Sequence, residues 1–332
     1  MKKTTLCSAR LASALVIATF LVGGSDDASA NDTYPTQTIK IIVPFAAGGG
    51  VDIIGRIVAP RLSEVLGQSV VIENRGGAGG SLGATAVAQA PPDGYTLLLG
   101  TGSTHGTNSS VYARLTYDPV RDFEPIALVS TSPLVLVANP SLPATSAKDL
   151  IGLAKAKPGE LSFGSYGTGS INHLGGELFN AMAGIQTNHI PYRGSAPMLT
   201  DLLAGRIQYA FDGVSTSLGY VQSGSVRLLG VAGSNRSPVH PDQPTVSESG
   251  LPGFDTSVWF GLFAPAGTPK RIVDLLNSKA NSALAAPGVK ESFNKLGIEP
   301  AGGGPEILAD KVRAEMHKWT TIVREKNIRI DQ

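Results

Sequence analysis

Two glycine-rich turns carry the chemistry that the residue types of this chain allow. The first is Pro44-Phe45-Ala46-Ala47-Gly48-Gly49-Gly50-Val51-Asp52. It follows the apolar run from Ile39 to Phe45 and leads into apolar residues at helical spacing, Ile53, Ile54, Ile57, Val58 and Leu62. The second is Ser165-Tyr166-Gly167-Thr168-Gly169-Ser170-Ile171-Asn172-His173, placed in the same way after Leu161-Ser162-Phe163-Gly164. A strand-to-helix turn of this kind presents backbone N–H groups that no helical carbonyl reaches, where the aligned peptide dipoles favour negative charge. Two such turns facing one another would clamp a small anion, typically a carboxylate. The first turn is neither a G-x-G-x-x-G motif nor a P-loop, because no Gly-Lys-Ser/Thr follows it.

Individual residues add to this reading, each with a plainer role beside it. Phe45, Ala46, Ala47, Gly48 and Gly49 would meet the anion through the first turn, and Gly167 through the second. Ser165, Thr168 and Ser170 offer hydroxyls next to backbone N–H groups, and Ser170 is also a natural N-cap. His173 would hold a carboxylate if protonated, or pack as an ordinary helix residue. Ser103 and Thr104 follow the strand at 95–99, at the edge where a ligand is expected. Arg193 would clamp a second carboxylate or bridge surface carboxylates, with Ser195 and Ala196 contributing backbone contacts. Asp212 would receive an amino group or cap the next segment. Asp52, in the first turn of its helix, complements the dipole.

Gly79-Gly80-Ser81-Leu82-Gly83 fits the G-x-S-x-G pattern of a nucleophilic serine. Hydrolysis also needs a base held by an acid, and His105, His173, His189, His240 and His317 are scattered without assignable partners. No His, Asp or Glu cluster has metal-ligand spacing, so no metal and no cofactor are expected.

The elements that position these residues alternate between strand and helix, which predicts a parallel α/β architecture. Strands are expected at 39–45, 70–73, 95–99, 126–130, 134–138, 161–164, 189–192, 209–212 and 226–232. Helices are expected at 51–66, kinked or split by Pro60, and at 81–89, 170–182, 197–204, 218–223, 269–284 and 305–326. The turns lie about 120 residues apart, each after the lead strand of its own unit, which suggests two lobes with the ligand between them.

Lys2, Lys3 and Arg10, the apolar stretch from Leu11 to Val22, and Ala28-Ser29-Ala30 read as a secretory signal peptide over residues 1–30, cleaved before Asn31. Cys7 would leave with it, so the mature chain would hold no cysteine and no disulfide. The remaining length of about 300 residues exceeds what one core usually organises. Lobe 1 is expected to comprise 31–131 and 252–332, and lobe 2 residues 132–251. With 27 Lys+Arg against 26 Asp+Glu, nothing points to nucleic acid or an anionic membrane surface, and the 42% apolar content is ample for a core. No later apolar run reaches spanning length, so a product not inserted in the membrane is expected.

The runs Pro44 to Asp52, Val70-Val71-Ile72-Glu73-Asn74-Arg75-Gly76-Gly77-Ala78-Gly79-Gly80 and Asp93-Gly94-Tyr95-Thr96-Leu97 resemble the Bug family, the extracytoplasmic solute receptors of tripartite tricarboxylate transporters. So do Gly167-Thr168-Gly169-Ser170 with His173-Leu174, Pro191-Tyr192-Arg193-Gly194, and Pro197 through Asp201-Leu202-Leu203. The match covers essentially the whole mature chain, in order. The resemblance implies a type II periplasmic-binding-protein fold, two α/β lobes joined by hinge strands, with a ligand held between 44–52 and 165–173, usually through a carboxylate. It implies a non-enzymatic periplasmic receptor for a small organic acid or acidic amino acid, acting as a monomer and delivering to transporter membrane subunits. An orphan receptor or sensor is the alternative, and a periplasmic hydrolase using Ser81 a more remote one.

Overall fold

The computed structural model describes residues 34–112 and 114–325. The expected signal peptide falls outside the described residues. The chain begins with β1 (Ile39–Val43), α1 (Gly50–Leu66), β2 (Val70–Asn74), α2 (Ser81–Ala88) and β3 (Thr96–Thr101). A helical turn at Ser103–Thr107 runs into α3 (Asn108–Val111), followed by β4 (Phe123–Ser132) and β5 (Leu134–Ala138). Next come α4 (Ala147–Ala156), β6 (Ser162–Ser165), α5 (Ile171–Ala183), β7 (Asn188–Pro191), α6 (Ser195–Leu203), β8 (Tyr209–Gly213), α7 (Val214–Gln222) and β9 (Arg227–Val231). The chain closes with β10 (Val258–Pro265), α8 (Lys270–Ala285), α9 (Pro287–Lys295), β11 (Glu299–Pro300) and α10 (Pro305–Glu325).

The strands form two sheets, one ordered β11-β4-β10-β3-β1-β2 and the other β7-β6-β8-β5-β9. Each sheet with its helices makes one lobe. Within each lobe the strands linked by local crossovers run parallel: β1 with β2 and β3, and β6 with β7 and β8. The sheets are nevertheless mixed, not purely parallel as the alternation predicts. β10 lies antiparallel between β3 and β4, and β5 lies antiparallel between β8 and β9. Both strands enter from the other lobe, β5 through Pro133 and β10 after 232–257, and each runs against the strands that local crossovers join.

These two strands are buried along their whole length, Val258–Pro265 and Leu134–Ala138, each flanked by a strand on both sides. Leu98, Trp259, Phe263 and Leu308 anchor one core, and Val135, Met198, Leu202 and Ala210 the other. Each buried Val, Leu, Phe or Met among them stabilises its lobe by about 1.5–3 kcal/mol. α1 runs unbroken through Pro60. The buried stripe Ile54, Val58 and Leu62 holds it on the sheet, and Pro60 faces outward. α7 begins four residues earlier than its apolar residues predict, because its first turn, Val214-Ser215-Thr216-Ser217, is mostly hydroxylic.

Candidate functional site

The first turn is shaped by Asp52. This buried carboxylate accepts from the Gly48 N–H and from Arg56 Nε, both at 2.9 Å, and from Asn74 Nδ2 at 3.0 Å. Burial alone would raise its pKa; Arg56, the Gly48 amide and Asn74 outweigh that and hold it below the usual carboxylate range. Gly48 sits at φ +78°, a conformation that favours glycine. The Ala46 N–H donates to the Arg193 carbonyl of the other lobe at 3.2 Å. The N–H groups of Ala47, Gly50 and Val51 have no partner among the described residues. They stand at the start of α1, whose N-cap Gly49 has no side chain to cover them.

The second turn is held from within and from across the cleft. Ser170 caps α5, its Oγ accepting from the His173 N–H at 3.3 Å. Ser165 Oγ accepts from the Gly167 N–H at 3.1 Å and lies 2.6 Å from His189 Nε2. His173 Nδ1 accepts from the Gly169 N–H at 3.2 Å. The two imidazoles stack with centroids 3.7 Å apart. Burial, and for His173 also the neighbouring His189, pushes their pKa values down to about 3 for His173 and about 4 for His189. His173 Nδ1 is thus engaged in propping the turn, and burial disfavours the cationic form that a clamp would need. From the other lobe, Ser103 Oγ accepts from the Ile171 N–H at 3.0 Å. Thr107 Oγ1 and the Tyr112 hydroxyl donate to the Gly169 and Thr168 carbonyls, each at 2.6 Å. With these bonds the lobes are closed.

α6 and α7 start at the same edge. Gly194, at φ +147°, precedes Ser195, and a Cβ on Gly49 would lie 3.9 Å from the Ser195 nitrogen. The N–H groups of Ser195, Ala196, Val214 and Ser215 have no partner among the described residues. Asp212 is wholly buried behind them and accepts from Tyr166 OH, from Ser195 Oγ at 2.8 Å, from Thr216 Oγ1 at 2.7 Å and from Ser217 Oγ. Four hydroxyl donors saturate this carboxylate, so its visible role is to fix the starts of α6 and α7.

These parts border a small cavity between the lobes, with about 30 Å³ of space in this closed form. Phe45, Gly50, Val51, Thr101 and Ser103 line it from one lobe, and Tyr166, Ile171, Asn172, Gly213 and Ser215 from the other. Ser132, Leu134, Val258 and Phe260, where the strands cross between lobes, form its floor. No ionisable acid or cationic side chain lines it. Helix starts border it, α1 on one side and α5 and α7 on the other, where the aligned peptide dipoles favour negative charge. Among the described residues no three His, Cys, Asp or Glu are placed to hold a metal ion.

The sequence-expected residues divide accordingly. Phe45 and Tyr166 face one another, with ring centroids 6.1 Å apart, so both turns reach one cavity. Their nearest partners across the cleft differ: 193–196 for the first turn, Gly79 and 103–112 for the second. Ser103 lines the cavity, whereas the Thr104 hydroxyl is spent on Thr101 and His105. The Arg193 side chain is exposed and points to a separate, more open groove with Gly76, Gly77, Tyr112 and Thr168. It has no side-chain partner among the described residues, and its link to the site is its carbonyl. Ser81 accepts from Asn108 Nδ2 at 3.0 Å, and no histidine bonds to it among the described residues. Sequence reasoning missed the α7 start, the floor and Asn172. Gly213 after the strand Tyr209–Asp212 repeats the pattern of the two recognised turns and could have revealed the first of these.

Residues 54–328 match the model of the tripartite tricarboxylate transporter family receptor. The chain is 39% identical over 300 residues to the protein BugT of Bordetella pertussis, covering 90% of this chain and 92% of BugT. Its fold superimposes on Rpa4515 of R. palustris, solved with adipate, with TM-score 0.87 and 40% identity, over 90% of this chain and 99% of that one. MatC of Rhodopseudomonas palustris, solved with bound malate, gives TM-score 0.85 and 35% identity, over 87% of this chain and 100% of that one.

Proposed function

This chain belongs to the tripartite tricarboxylate transporter receptor family, a family of periplasmic solute-binding proteins rather than enzymes, and from that premise we propose that it captures a small carboxylate between its lobes and delivers it to transporter membrane subunits. In this reading residues 1–30 are removed on export. Residues 31–131 with 252–332 form one lobe, and 132–251 the other. The observation that carries the proposal is the set of unpaired N–H groups at the starts of α1, α5 and α7, beside a cavity with no Asp, Glu, Lys, Arg or His in its lining, with the α6 start packed close to the first turn.

A carboxylate seated there accepts from Gly50 or Val51 on one lobe and from Ser195, Ala196 or Ser215 on the other. Hydrogen bonds to a charged group contribute about 1.5–3 kcal/mol each. Several of them sustain micromolar affinity, about 8 kcal/mol, after the cost of association. A ligand that meets both lobes only when they are closed selects the closed state, and that state is what a membrane partner distinguishes. Adipate in Rpa4515 and malate in MatC support an organic acid as the ligand class.

Thermal-shift titration with small mono- and dicarboxylates, joined to mass spectrometry of whatever co-purifies, tests the proposal. A cognate acid raises the melting temperature in proportion to the logarithm of its concentration above Kd. If no carboxylate stabilises the protein at millimolar concentration, the proposal fails.

A further inference from the structure

Asn172 is wholly buried, lines the cavity, and holds a side-chain acceptor with no partner among the described residues. Its Nδ2 donates to the Phe211 carbonyl at 2.8 Å. A carbonyl neighbour requires the nitrogen on that side, so the atom left over is Oδ1. Buried amide oxygens are nearly always paired, and one that is not calls for a reason. The backbone around Asn172 is treated differently. The Ile171 N–H is taken by Ser103 Oγ and the His173 N–H by Ser170 Oγ, while the Asn172 N–H is unpaired. A single residue in the cavity lining thus carries an unmatched donor at a helix start and an unmatched acceptor on its side chain.

The small hydroxyls on the cavity wall do not discriminate. The hydroxyls of Thr101, Ser103, Ser132 and Ser215 both donate and accept. An amide oxygen only accepts. It attracts a hydroxyl or N–H group on a ligand, and it repels a carboxylate oxygen at the same place. Phe45, Val51, Ile54, Leu134 and Phe260 make the remaining wall apolar, and no cation is present to balance a second carboxylate.

Resting on the carboxylate-receptor reading above, we propose that Asn172 is a specificity-determining residue whose Oδ1 accepts from a hydrogen-bond donor carried on the ligand's body, so that the preferred ligand is a hydroxy or amino acid rather than a plain carboxylic acid. A site built to satisfy a buried polar group rejects the analogue that lacks the matching group more strongly than it senses a missing methylene.

The test is calorimetric titration of the full mature protein with a panel of three- to eight-carbon acids, each in plain, hydroxylated and amino-substituted form. In the wild type, at least one donor-bearing acid binds about three- to tenfold tighter than its plain counterpart. The hydroxyl and amino arms show which donor is used. In Asn172→Ala that preference, read as the ratio of substituted to plain acid affinity, collapses to within about twofold whatever the change in absolute affinity. Equal binding of plain and substituted acids by the wild type overturns the inference, and so does a preference that survives Asn172→Ala. Should the variant fail to fold, a crystal structure of the complex decides. A ligand donor within 3.2 Å of Oδ1 supports the assignment, and a water there with the ligand donor elsewhere contradicts it. Binding without donor preference leaves the receptor reading standing, whereas failure of every acid to bind ends both.

Discussion

The hydroxyl of Tyr112, in one lobe, donates a 2.6 Å hydrogen bond to the carbonyl of Thr168 in the other. Thr107 Oγ1 does the same to the next carbonyl, Gly169, also at 2.6 Å. Two adjacent carbonyls of the second turn are therefore gripped from across the cleft, and closure is stabilised before ligand contacts are counted. Tyr112→Phe removes one such bond, worth about 0.5–1.5 kcal/mol. The expected outcome is ligand affinity two- to tenfold weaker with the melting temperature of the ligand-free protein nearly unchanged. Small-angle scattering should show the ligand-free variant more expanded than the wild type.

Gly79 lies where the two lobes approach one another closely. It sits at φ +60°, and a Cβ there would lie 2.6 Å from the Thr168 oxygen. Gly79→Ala pays about 1–2 kcal/mol for the left-handed conformation, a few degrees of melting temperature. It also wedges the lobes apart. Affinity should fall at least tenfold while circular dichroism stays that of the wild type.

Arg193 separates a backbone site from a charge clamp. Its side chain is exposed in the outer groove, and only its carbonyl reaches the first turn. Arg193→Ala is expected to change Kd by less than about threefold at physiological salt, where exposed charges are screened. A loss of tenfold or more, restored at low salt by added positive charge, would return Arg193 to the role of clamp that its position in the sequence suggests.

Buried neutral histidines give the fold a pH dependence. Burial lowers His105 and His173 to about 3, against about 6.5 in an unfolded chain. As the pH falls the unfolded state takes up protons first, so stability is full above about 6.5 and is lost progressively toward 3. Each of the two contributes up to about 1.4 kcal/mol per pH unit in that window. Melting temperature should drop between pH 7 and pH 5. His173→Gln, which keeps an acceptor for the Gly169 N–H, should flatten part of the slope.

Much of this was legible in the chain. The apolar run Ile39–Val43 breaking into three glycines announces a strand, a turn and a helix, and Leu161 to Ser170 repeats the announcement, because both signals are local. The α7 start was hidden because Ser215, Thr216 and Ser217 show no apolar periodicity, and their hydroxyls are explained only by the buried Asp212. The antiparallel placement of β5 and β10 could not be read locally, since each strand pairs with residues far away in sequence. The cavity floor of Ser132, Leu134, Val258 and Phe260 depends on those same pairings. Burial first, and then the His189 ring stacked on it, disfavours the charged form of His173, and no spacing in the sequence reveals either.

The central claim is that helix-start N–H groups from both lobes, and no cationic side chain, seat the ligand's acid group. A crystal structure of the loaded protein tests it most directly. The account predicts carboxylate oxygens within about 3.2 Å of the Gly50 or Val51 nitrogen on one side and of the Ser195, Ala196 or Ser215 nitrogen on the other. A ligand lodged instead in the outer groove against Gly76, Gly77 and the Arg193 guanidinium would contradict it.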